Sequence, residues 1–199
     1  MTDALPQILI LAAGASSRMR GADKLLEPVA GRPLLAHVLA EARASGLPLL
    51  VVLPPDRPAR TALVQAAGLP HVIAARAAEG MAESLKAGVA ALPSDKAIML
   101  LLADLPEITA EDLRQMARAH AVYRQAILRG TAQDGRPGHP VLFPADLRAE
   151  LLGLSGDEGA RSLLARHRDR LRPVPLPGAH ATTDLDTPED WAEWRASRP

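Results

Sequence analysis

The stretch ILILAAGASSRMRGADKLL, Ile8 to Leu26, decides how this chain is read. It opens on four aliphatic residues, Ile8 to Leu11, β-branched at positions 8 and 10. That is the pattern of a short strand buried on both faces. Small residues follow: Ala12, Ala13, Gly14, Ala15, Ser16 and Ser17. Side chains this small leave backbone N–H groups uncovered, so an anion can approach them closely. Two cations lie just beyond, Arg18 and Lys24. The stretch therefore reads as a nest of donors and a charge clamp at the carboxyl end of a first strand. In open α/β sheets ligands bind at that edge.

Three ligand readings compete for this loop. A P-loop needs GxxxxGK followed by Ser or Thr, and here Lys24 follows Asp23 without that frame. A dinucleotide fingerprint needs GxGxxG, but Gly14 stands alone before Arg18. Asp56 follows the second strand about 40 residues on, against the ~20 that a dinucleotide site requires. A nucleoside triphosphate site fits every residue. The bland alternative, a tight loop between strand and helix, has no use for both cations.

The whole chain sets bounds. Its 199 residues carry 23 Lys and Arg against 23 Asp and Glu, so net charge is zero. That balance favours neither nucleic acid nor an anionic membrane. With no Cys there is no disulfide and no thiolate chemistry. Aromatics make up 2%, too few for base-stacking surfaces. MTDALPQ lacks the charged and apolar regions of a signal peptide, and no apolar run reaches the ~18 residues of a spanning helix. The expectation is one soluble, cytoplasmic domain over residues 1–199.

Working outward, Pro33 suits a first helical turn, Leu34 to Ala42 repeat at helical spacing, and Gly46 closes the helix. Leu49 to Leu53 is a second buried strand, residues 57–67 a helix, and His71 to Ala74 a third strand. The order β-α-β-α-β implies a parallel sheet with right-handed crossovers. Met81, Leu85, Val89 and Leu92 give the buried face of the next helix. Gly80 stands at its start and Ser84 one turn in; spacing alone favours an ordinary amphipathic helix preceded by Gly, and the competing reading is that its exposed N–H groups attract polar ligands.

Ala97 to Leu102 is a fourth strand, and Asp104 follows it on the ligand edge. A carboxylate there suits Mg²⁺, which takes one or two carboxylates plus substrate phosphates. The competing reading is a helix cap, but Thr109 already caps the next helix, with Asp112 three residues on. Residues 110–121 read as a helix, Ala126 to Arg129 as a strand, Gly130 to Gly138 as a loop and Val141 to Phe143 as a strand. A β-hairpin arm beside the parallel strands follows from these. Pro144 to Leu152 reads as a helix, Arg166 to Arg172 as a solvated helix end, and Val174 to Leu176 as an edge strand flanked by prolines. Asp157 favours the dipole of the helix that it precedes. Near the end, Thr187 is an N-cap and Pro188 fits N1, while Trp191 and Trp194 pack one helix face. None of that requires Asp184 or Asp186, which otherwise read as a charged loop.

These segments resemble a known family. LAAGASSRM and DKLL are similar to the LAAGxSxRMGxxKLL signature of the MobA-like nucleotidyltransferases, and LAAG rather than LAGG resembles the molybdenum cofactor cytidylyltransferase (MocA-type) branch. GMAESLKAG, LADLPEIT, RPGHPVLF, GDEGAR and DLDTPEDW look like further family segments, in the family's order. Arg20 stands where that family usually has Gly, and Leu105 where it has Gln.

The resemblance implies a Rossmann-like three-layer α/β sandwich of the nucleotide-diphospho-sugar transferase kind, with a mostly parallel sheet. It implies that Leu11, Ala12, Ala13 and Gly14 with Arg18 hold the β- and γ-phosphates of CTP. Lys24 would neutralise charge at the α-phosphate, with Arg18 and Lys24 the catalytic pair. Gly80 and Ser84 would hold base and ribose, and Asp104 with Asp186 a Mg²⁺ ion. Gly138, His139 and Arg161 would lie against the acceptor; for His139, contact with an acceptor phosphate and a turn-holding role stand equal. The implied reaction transfers CMP to the phosphate of molybdopterin, with a molybdoenzyme as downstream partner. The alternatives are a transferase using GTP or a sugar or alcohol phosphate, and a non-catalytic carrier of molybdenum cofactor for a xanthine dehydrogenase-type enzyme.

Overall fold

The computed structural model describes residues 5–156 and 160–197; the expectation for Asp157 lies outside them. In chain order the elements are β1 (Gln7–Leu11), β2 (Pro28–Val29), β3 (Arg32–Pro33), α1 (Leu34–Ala44), β4 (Leu49–Leu53), α2 (Pro58–Ala66), β5 (His71–Ile73) and α3 (Met81–Ala91). There follow β6 (Ile98–Leu102), α4 (Ala110–Val122), β7 (Ile127–Thr131), β8 (Pro137–Phe143), α5 (Arg148–Leu152), α6 (Arg161–Arg166), β9 (Leu171–Pro175) and α7 (Pro188–Ala196).

Seven strands form one sheet in the order β5-β4-β1-β6-β8-β7-β9, and β2 pairs with β3 in a small ribbon. β5, β4, β1 and β6 run parallel. The hairpin of β7 and β8 lies antiparallel against β6, and β9 runs parallel to β7 at the edge. This is the expected α/β sandwich with a hairpin arm.

Three layers follow from the two-residue period of the strands. Ile8 and Ile10 point to one face and pack with Leu35 and Leu39 of α1, Leu113 of α4 and Trp191 of α7. Leu9 and Leu11 point to the other and pack with Leu85 of α3, Leu151 of α5 and Leu163 of α6. Gly88 brings α3 close to the sheet: a Cβ there would lie 2.5 Å from Leu9 Cδ1 and 2.7 Å from Val52 Cγ2.

Several boundaries differ from the sequence reading, each for a local reason. Pro33 belongs to the two-residue strand β3 and flanks α1 rather than opening its first turn. Met81 is 47% exposed at the first position of α3, because its side of the helix faces a cleft and not the sheet. The loop between β7 and β8 is only residues 132–136: Thr131 pairs with Pro137, so Gly130 and Gly138 are both strand residues. Gly130 is needed there because a Cβ would sit 2.7 Å from the His139 carbonyl oxygen. The basic run is not one solvated helix end either. α6 stops at Arg166, and Arg170 donates to the Gln125 carbonyl and to Asp146. β9 then begins at Leu171, three residues earlier than expected. Among the described residues no helix is long and apolar enough to cross a membrane.

Candidate functional site

The carboxyl ends of β1 and β6 open into a cleft of about 650 Å³. Its walls include Leu11, Ala13, Gly14, Arg18 and Lys24 from the first loop, and Gly80, Met81 and Ser84 from the start of α3. Asp104 enters from the end of β6, and Asp184 and Asp186 from the segment before α7. The structure thus gathers most of the predicted residues in one place, although Asp186 lies 162 positions from Lys24 in sequence.

Lys24 is the hub. It starts a 3-10 turn, Lys24–Leu26, capped by Asp23, whose carboxylate accepts from the Leu25 N–H at 3.1 Å. Lys24 Nζ donates to Asp104 Oδ2 and to Asp186 Oδ1, each at 2.6 Å. Only 12% of its side chain is exposed. Burial opposes the ammonium charge, but the Asp104 and Asp186 carboxylates outweigh it and hold the Lys24 pKa above the usual lysine value. Arg18 bonds the other Asp186 oxygen. The backbone of Asp186 is fixed in turn by Asp190, whose Oδ2 accepts from the N–H groups of Asp186 at 3.1 Å and Thr187 at 2.8 Å. The α7 capping box predicted from Thr187 therefore also sets the carboxylate before it.

The first loop differs in one respect from expectation. Ala12 is buried, and its N–H extends the sheet by bonding the Val52 carbonyl at 2.9 Å. Its N–H is taken up by the sheet, and the part of the nest that lines the cleft begins at Ala13. Arg20, with φ 51°, adopts the left-handed conformation that favours glycine, and its guanidinium reaches Glu189 of α7 at 2.6 Å. Arg20 thus ties the loop to the last helix at the solvent surface.

A second cleft, of about 620 Å³, adjoins the first across Met81 and Leu102. Its floor is apolar, with Leu100, Val141, Leu164 and Leu171, and its cations are Arg129, Arg161 and Arg168. Burial and the nearby Arg161 charge push the Arg129 pKa below its ordinary value. His139 also lines this cleft. Burial lowers its pKa; the Asp104 charge acts the other way, and Arg129 adds to the lowering. Its imidazole is thereby held neutral near pH 7. Gly138 lies on neither wall. A Cβ there would meet the Ala181 carbonyl oxygen at 1.8 Å, and the next N–H, of His139, donates to that same oxygen at 2.8 Å. It lets the segment that carries Asp184 and Asp186 cross the hairpin.

Sequence reasoning missed Arg129 and Arg168, and it missed the pair of Asp23 with Arg60. Arg60 of α2 is fully buried and forks onto Asp23. The one signal for it is spacing: Arg60 lies four residues before the fully buried Val64, on the same face of α2.

Bifunctional protein GlmU from Xylella fastidiosa (strain M12) is 36% identical over 115 residues, covering 56% of this chain and 25% of GlmU. The chain spans about a quarter of the length of the curated relatives that it matches. Among solved structures, Rv0371c from Mycobacterium tuberculosis H37Rv superposes with a TM-score of 0.83 at 29% identity, over 97% of this chain and 98% of that one. The Rv0371c complex with manganese superposes with a TM-score of 0.77 at 26% identity, over 96% and 98%. The model of the MobA-like NTP transferase domain matches residues 8–171, which include the first loop, Lys24, Asp104 and the hairpin arm, and the chain belongs to that family.

Proposed function

We propose that this chain is a cytidylyltransferase that transfers CMP from CTP to the terminal phosphate of a molybdopterin-type cofactor. The observation that carries the reading is the placement of two clefts side by side. One gathers Lys24, Arg18 and three aspartates, Asp104, Asp184 and Asp186, at a donor-rich loop; the other offers three arginines over an apolar floor. A nucleoside triphosphate suits the first and a phosphorylated organic acceptor the second.

In this reading an oxygen of the acceptor phosphate attacks the α-phosphorus of CTP. A new P–O–P bond forms, the bond from the α-phosphorus to the β-bridging oxygen breaks, and pyrophosphate leaves with the electron pair. The attacking phosphate is already an anion, so no general base is required. The work is positioning and charge neutralisation. Lys24 neutralises charge at the α-phosphate, the N–H groups from Ala13 onward and Arg18 receive the β- and γ-phosphates, and Gly80 and Ser84 face the nucleoside. Arg161, with Arg129 and Arg168, receives the acceptor's phosphate.

Asp104 and Asp186 fit a divalent cation, taken as Mg²⁺. Asp104 Oδ1 is buried without a hydrogen-bond partner, and carboxylate oxygens are the hard donors that such an ion prefers. No group of three or more His, Cys, Asp or Glu side chains gathers around a common point among the described residues, so phosphate oxygens and waters would complete the coordination. Bound there, the ion would supply Lewis-acid neutralisation of the triphosphate.

Calorimetric titration with CTP, GTP, ATP and UTP, each with Mg²⁺, tests the reading first. Selective CTP binding, followed by pyrophosphate release when molybdopterin is added, is the expected result. GTP selectivity would move the chain to a guanylyl reaction. Binding of the cofactor without turnover would make it a carrier and overturn the proposal.

A further inference from the structure

The fully buried guanidinium of Arg60 sits beneath the first loop, and each of its five N–H groups has a partner. Nε and Nη2 fork onto the two oxygens of Asp23 at 2.8 and 2.7 Å. Nη1 donates to the carbonyls of Ala12 at 2.7 Å and Gly14 at 2.8 Å, and Nη2 also donates to Ser16 Oγ at 3.1 Å. Close to the same helix start, Arg57 Nη2 donates to the Ala15 carbonyl at 3.1 Å.

The peptide unit turns these bonds into a statement about the cleft. A trans peptide is planar, with its C=O and the following N–H on opposite sides. Drawing the Ala12 carbonyl inward turns the Ala13 N–H outward, and drawing the Gly14 carbonyl inward does the same for the Ala15 N–H. Ala13 and Ala15 both line the first cleft. The inner ends of these two peptides rest on a fixed positive charge, which aligns their dipoles and leaves their positive ends to face an anion. Asp23 joins this arrangement to Lys24, because the carboxylate that receives Arg60 also caps the turn on which Lys24 sits.

We propose that Arg60 is a positioning residue for the triphosphate: from inside the fold it orients the Ala13 and Ala15 N–H groups toward the phosphates and, through Asp23, sets Lys24. This rests on the reading of the first cleft as a nucleoside triphosphate site. Lysine cannot replace arginine in this role, since one ammonium cannot span a carboxylate fork and two separate carbonyls.

The test compares Arg60→Lys with wild type by calorimetry in Mg²⁺, using the triphosphate that wild type binds most tightly and the matching monophosphate. Triphosphate affinity is expected to fall about tenfold or more, while monophosphate affinity stays within about twofold, as for charge-assisted hydrogen bonds lost from the phosphate loop alone. A folded variant with unchanged triphosphate affinity overturns the inference and leaves the nucleotide reading standing. Equal losses for both ligands also overturn it, because they mark a general softening of the fold. A wild type that binds no triphosphate overturns both. Should Arg60→Lys not fold, amide NMR of the wild type decides: Mg²⁺–tripolyphosphate is expected to shift the Ala13 and Ala15 N–H resonances most among residues of the loop. If those two resonances stay in place, the inference falls.

Discussion

The two clefts share Met81 and Leu102 but handle charge in opposite ways. In the first, Lys24 and Arg18 rest on Asp104 and Asp186, and Arg60 below rests on Asp23. In the second, Arg161 and Arg168 have no carboxylate partner among the described residues, and Arg129 donates to the Gly138 carbonyl. A site that sets cations beside carboxylates, Asp184 among them, suits a ligand that brings both signs, such as a nucleotide with its metal. A site with cations alone suits a bare anion. The difference also separates cost from gain. Removing one partner from a buried pair strands the other, whereas removing an exposed arginine strands nothing.

The largest effect is expected at Asp104. Asp104→Ala leaves Lys24 with Asp186, so the fold should persist, but pyrophosphate release should fall by on the order of 10²–10³. The assay is initial-rate pyrophosphate release, with a melting curve as control. Turnover at the wild-type rate would remove Asp104 from the reacting centre, and the first cleft would lose its distinction from the second.

Gly138→Ala comes next and probes the seam between the clefts. The added Cβ would collide with the Ala181 carbonyl, backbone against backbone, where neither side can turn away. Overpacking of this kind costs about 1–3 kcal/mol. Denaturant unfolding should show that loss, and both nucleotide and acceptor binding should weaken, since the segment that crosses here leads to Asp186. If stability is unchanged and only acceptor affinity falls, then Gly138 touches the acceptor and the seam is elsewhere.

A smaller effect is expected in the second cleft. Arg161→Ala and Arg168→Ala should each raise the acceptor KM by about tenfold and leave triphosphate affinity unchanged, the low end for a charge-assisted hydrogen bond at an exposed site. Steady-state kinetics at two salt concentrations would measure it, because exposed charges are screened. If either variant weakens triphosphate binding instead, then the two clefts form one site.

How far the site was legible follows from the same division. β1, Asp104 and the capped start of α7 could be read because each is a local event: an aliphatic run, a carboxylate at a strand end, a Thr-Pro cap. The layers could be read because strand and helix periods are local too. The support beneath the loop could not. Arg60 and Asp23 are 37 positions apart, and an arginine at a helix start ordinarily reads as solvated. Arg168 was hidden inside a basic run, and Arg129 sits on a strand whose extent was underestimated. For Gly138 the resemblance pointed to the acceptor, but no local pattern could show that the Ala181 carbonyl packs against it, a contact made across 43 positions of chain.

The smallest effect concerns pH and compares the supports of the two clefts. His37 Nε2 bonds the Pro106 carbonyl at 3.0 Å, bracing the loop after Asp104, while its Nδ1 lies 3.1 Å from Arg32 Nη2 and accepts from it. Burial first, and then the Arg32 charge, hold its pKa below the usual 6.5. The His139 pKa is held below the same value, mainly by burial. A histidine depressed in the folded state contributes stability that is fully present above its unfolded pKa. That stability is lost as pH falls through the folded value, because the unfolded chain takes up the proton first. Wild type should therefore lose stability as pH falls below 6.5, at no more than about 1.4 kcal/mol per pH unit for each group. Denaturation midpoints at descending pH for His37→Gln and His139→Gln should each show a shallower slope. If His37→Gln removes more of the slope, acid loosens the nucleotide side first. If His139→Gln does, acid acts on the floor of the arginine cleft, and an anion bound there should restore part of the lost stability by favouring the protonated ring.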